Sequence, residues 1–77
     1  MSDATVIEFA HVRAVAQAAA KRNRYLHVSP EALAAARRAG IWMLLAGESA
    51  TAAAFRAERV VVEAWNARTG GIPGSAA

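Results

Sequence analysis

Residues Ile41, Trp42, Met43, Leu44 and Leu45 form an unbroken run of bulky apolar side chains. On a helix each residue turns the chain by about 100°, so five in succession point in every direction. A helix apolar all round must be covered all round, by neighbouring helices or by another chain. A chain of 77 residues has little else with which to cover it. The run therefore points to close packing and self-association, and it names no reaction.

The rest of the chain brings little bulk to that task. Its hydrophobic share is 56%, but much of this is alanine, in the blocks Ala18-Ala19-Ala20, Ala34-Ala35-Ala36 and Ala52-Ala53-Ala54. Alanine is the best helix former and adds almost no volume. A core of this size rarely contributes more than about 3–5 kcal/mol without a disulfide, a metal or oligomerisation. The chain has no cysteine, which excludes disulfides and thiolate metal sites and fits a cytoplasmic location.

The longest apolar stretch, Ala39 to Gly47, falls short of the roughly 20 residues of a membrane-spanning helix. Asp3 and Glu8 stand where a signal peptide would carry positive charge, and His11 and Arg13 interrupt the apolar stretch. Neither a leader nor a membrane partner is expected. Nine basic residues face six acidic ones, for a net charge of +3. That balance permits an anionic partner without requiring one.

Local signals divide the chain into helices. Ser2 or Asp3 can cap the first, and Val6, Phe9, Val12, Ala16 and Ala19 make one stripe along it. Lys21, Arg22 and Arg24 close it, compensating the helix dipole. Tyr25 to Val28 then read as a short extended linker. Ser29, Pro30 and Glu31 are the clearest start signal: an N-cap, a proline at the first helical position, and a carboxylate near the positive helix end. Val28 and Leu33 have the spacing of a hydrophobic staple. The second helix contains Gly40, which a close crossing or a bend would explain, and Gly47 offers its C-cap.

Ser49 or Thr51 can cap a third helix that continues through Val60-Val61-Val62, with Arg59 and Glu63 as an i,i+4 pair. Gly70 and Gly71 stop it. The expectation is an all-α fold with helices near 4–22, 30–46 and 50–68. These make a single helical domain over 1–69 with a flexible tail at 70–77. Helices two and three are expected to form an antiparallel hairpin, assembled as a homodimeric helical bundle.

No residue is assigned a catalytic, cofactor-binding or metal-binding role. Glu8 and His11 form Glu-x-x-His, the spacing used in carboxylate-bridged di-iron bundles, but the further glutamates such a site needs are missing. The pair is expected to be solvated. Ser29 and Ser49 lack a histidine–carboxylate partner pattern and have capping roles instead. Gly70, Gly71 and Gly74 follow a helix where a phosphate-cradling loop would precede one. An enzyme is therefore not expected.

Binding is the better class. Trp42, Met43, Phe55 and Trp65 exceed what alanine-rich neighbours can bury, and aromatics and methionine are enriched at interfaces. They are the candidate partner-binding residues, with Arg37 and Arg38 at the rim and Arg38 placed to stack on Trp42. This describes a small regulatory or adaptor protein that pairs with itself and with another protein, acting by occlusion or bridging.

The alternative is a nucleic-acid-binding regulator using Lys21, Arg22, Arg24, Arg37 and Arg38. A strand over Arg24 to Val28, a helix opening on Pro30-Glu31-Ala32-Leu33, a turn at Gly47-Glu48-Ser49 and a further helix make an order that resembles the ribbon-helix-helix family. The resemblance covers residues 24 to about 65 and implies DNA binding. A helix-turn-helix reading instead takes Gly47 as the turn glycine, with Arg56 and Arg59 as base contacts.

Overall fold

A computed structural model describes residues 8–69. They form α1 (Phe9–Leu26), α2 (Pro30–Leu45) and α3 (Ala50–Arg68), with no strand among the described residues. The all-α class holds, and each helix packs against the other two. None of the described helices is long and apolar enough to cross a membrane.

The start and stop signals of α2 and α3 act as their chemistry dictates. The Ser29 hydroxyl accepts from the Ala32 N–H at 3.1 Å, and the Ser49 hydroxyl does the same for Ala52 at 3.1 Å. Each satisfies one of the orphan donors of a first helical turn. Val28 is buried and Leu33 packs against the same cluster, as the staple requires. At the other end of α2, the Gly47 N–H donates to the Leu44 carbonyl and the Glu48 N–H to that of Met43, both at 3.0 Å. These two bonds make a Schellman motif, and Gly47 takes the positive φ of 92° that the motif needs. The valine run lies within α3, and Arg59 meets Glu63 at 3.8 Å.

The first helix differs from expectation at both ends. It begins at Phe9, with Glu8 as an N-cap whose side chain makes no capping bond. Ser2, Asp3 and Val6 lie outside the described residues, as do Gly70, Gly71 and the tail. The helix also runs a full turn past Arg22. His27 ends it in the left-handed region, at φ 55° and ψ 53°, with its N–H on the Asn23 carbonyl. The Asn23 side-chain oxygen accepts from the Val28 N–H. Residues 24–26 are thus helix, and the linker is a tight reversal.

The three helices meet through small residues. Val15 and Ala19 of α1, Ala36 and Gly40 of α2, and Ala53, Ala57 and Val61 of α3 are buried, each set spaced four apart. Such rows form the ridges along which helices pack, and small side chains let the backbones approach closely. Gly40 marks the tightest point. A Cβ placed there would overlap Val15 Cγ1 and sit 3.0 Å from the Ala53 carbonyl oxygen. The close crossing is therefore why a glycine stands inside α2. The stripe expected on α1 is rotated to fit this packing. Val15 lines the core, while Phe9 faces out and carries the Arg13 guanidinium 5.0 Å above its ring.

Candidate binding surface

The protein places its small residues inside and several of its largest outside. Val15 and Val61 are the largest fully buried side chains, whereas Phe9, Tyr25, Trp42, Leu45 and Phe55 are exposed. The apolar run at 41–45 splits accordingly. Met43 and Leu44 pack against the core and Ile41 is half-buried, but Trp42 remains 69% and Leu45 45% accessible. Three helices cover only part of the run.

The four candidate contact residues separate in the same way. Met43 and Trp65 are packed against the core cluster, and Trp42 and Phe55 project from it. Phe55, 62% exposed, stands over a shallow groove of about 390 Å³ between α1 and α3. Ala14, Ala50, Thr51, Ala54 and Glu58 complete its lining. No α2 residue lines that groove, so Trp42 belongs to a different patch. Arg37 and Arg38 are exposed on α2. The cation–π contact recorded among the described residues is Arg13 over Phe9, not Arg38 over Trp42.

The basic residues are less free than their number implies. Arg22 pairs with Glu58 across the α1–α3 boundary at 3.4 Å. Arg68 donates from Nη1 to the His27 carbonyl at 2.8 Å, tying the end of α3 to the α1–α2 reversal. Lys21 and Arg24 remain exposed beside Gln17 and Ala20, next to Tyr25, which is 72% accessible. Residues 24–26 form the last turn of α1, so the strand that a ribbon-helix-helix arrangement needs is absent there. The DNA-binding expectation drawn from that resemblance loses its reading element.

Glu8 and His11 are both exposed at the start of α1. No group of three or more described His, Asp and Glu side chains is placed to hold a metal ion. Phe9 and Tyr25 are exposed aromatics outside the candidate set: periodicity put Phe9 in the stripe of α1, and it did not single out Tyr25. Neither lies on the face of Val15 and Ala19, the part of α1 that is fully buried and packed too closely to hold a ring. No known protein family, curated protein or solved structure matches the chain.

Proposed function

We propose that this is a small, non-catalytic regulatory or adaptor protein that pairs with a second copy of itself and binds another protein through its apolar helical surface. In this reading α2 and α3 form an antiparallel hairpin, and the working unit is a homodimeric bundle in the cytoplasm. The observation that carries it is the inverted distribution of bulk. A chain that buries alanine and valine while exposing Trp42 and Phe55 gains most by covering the aromatics on association. The hairpin is supported by the four-residue reversal at 46–49 and by the approach of Gly40 to Ala53 across it. The cytoplasmic setting rests on the lack of cysteine.

The binding role is tested by capture from nuclease-treated lysate of the native host, with wild type, Phe55→Ala and Trp42→Ala compared. Both side chains are exposed, so helicity should be retained in each variant. The expected result is a partner held at high salt after nuclease treatment and lost with at least one variant. Capture that needs intact nucleic acid, or that neither variant affects, overturns the reading.

One observation favours the second reading, nucleic-acid binding. Lys21 and Arg24 are exposed beside an exposed Tyr25, a pairing of cations with a stacking surface that suits single strands. Binding of this kind weakens steeply with salt and is lost when residues 21 and 24 are neutralised.

A further inference from the structure

The outer face of α2 has a charge order that suits one particular occupant. At about 100° per residue, Glu31, Ala34, Ala35, Arg38, Trp42 and Leu45 fall within a single arc of about 100°. Leu33, Ala36, Gly40, Met43 and Leu44 occupy the opposite arc, and these are the residues that face the core. The outer arc is therefore the unpartnered side of the helix. Trp42 and Leu45 supply its apolar end, both exposed. Glu31 and Arg38 are also exposed, and neither takes part in an ion pair among the described residues.

We infer that a second copy of this chain docks along this face, α2 against α2 and antiparallel, about a two-fold axis between Ala34 and Ala35. The inference rests on the self-association proposed above and identifies its surface. Glu31 and Arg38 lie symmetrically about that axis, three residues beyond each alanine. An antiparallel copy thus sets each Glu31 opposite an Arg38, twice. A parallel two-fold pairing would set Glu31 against Glu31 and Arg38 against Arg38, which like-charge repulsion disfavours. The face is self-complementary in one direction only, as an isologous interface requires. Ala34 and Ala35 let the helices approach closely at the axis. Trp42, tilted toward its own helix N-terminus, then lies over the residues that lead into the second copy's α2, near Val28, and is covered there.

Charge reversal on the full chain tests this, with sedimentation equilibrium as the readout and circular dichroism as the control for folding. Glu31→Arg alone and Arg38→Glu alone each create two like-charge pairs and should weaken the homodimer by at least about tenfold. An equimolar mixture of the two variants should form a heterodimer, because every crossing pair is then opposite in sign. The double variant E31R/R38E should pair with itself as wild type does. A wild-type dimer indifferent to single reversals would overturn this face while leaving self-association standing. Weakened single variants with no recovery in the mixture would overturn the antiparallel register. A wild type that stays monomeric would remove both proposals.

Discussion

Substituting Gly40 with alanine separates two opposed effects whose sizes the packing decides. On an open helix surface, Gly→Ala stabilises by about 1 kcal/mol, because alanine loses less backbone entropy and is the better helix former. Here the added Cβ would overlap Val15 Cγ1, with Val15 Cγ2 at 3.1 Å and the Ala53 carbonyl oxygen at 3.0 Å. Val15 is fully buried, so its methyls cannot swing away freely, and the carbonyl belongs to the α3 backbone. Forcing a methyl into a packed core costs about 1–3 kcal/mol, and a contact that includes backbone belongs at the upper end.

The net expectation is a loss of about 1–2 kcal/mol, or a fall in Tm of roughly 4–16 °C for a domain of this size. Thermal unfolding followed by circular dichroism, at one fixed protein concentration, measures it. Val15→Ala supplies the control. It removes the atoms in the way, so G40A should cost at least about 0.5 kcal/mol less in that background. A rise in Tm for G40A, or strict additivity with V15A, would refute the three-helix convergence at Gly40.

Three further outcomes follow from single contacts. Ser29→Ala removes the hydroxyl that accepts from Ala32 and should destabilise the fold by about 1 kcal/mol by urea titration, while Ser29→Gly should cost only a few tenths. His27→Gly relieves a left-handed conformation that disfavours a side chain, and should raise stability by about 0.5–1 kcal/mol in the same assay. Arg68→Ala removes the bond to the His27 carbonyl and should increase amide exchange around the α1–α2 reversal more than at the middle of α2.

What was legible in the sequence was punctuation. Ser29-Pro30, Gly47 and Ser49 carry their geometry in their side chains or lack of one, so the ends of α2 and the start of α3 could be read directly. The ends of α1 could not. Glu8 makes no side-chain cap, and His27 reverses the chain in a conformation that its residue type permits but does not announce. The sidedness of the helices was harder still. Hydrophobic periodicity weighs bulk, and it put Phe9 in the stripe of α1. The core is built on closeness, and Val15, Ala19, Ala36, Gly40, Ala53 and Ala57 outrank the aromatics there because only they let three backbones converge. The run at 41–45 concealed its own division, since an all-apolar segment gives no contrast by which to tell Met43 from Trp42.

Self-association through the uncovered part of that run is the central claim, and sedimentation equilibrium of the full chain tests it most directly. Burying Trp42 on pairing is worth about 2 kcal/mol in each copy. Trp42→Ala should then weaken a dimer by about 4 kcal/mol, close to a thousandfold, with helicity unchanged. The expected result is a wild-type dimer and a helical W42A monomer over concentrations of about 1–100 μM. A folded, monomeric wild type throughout that range would contradict the account.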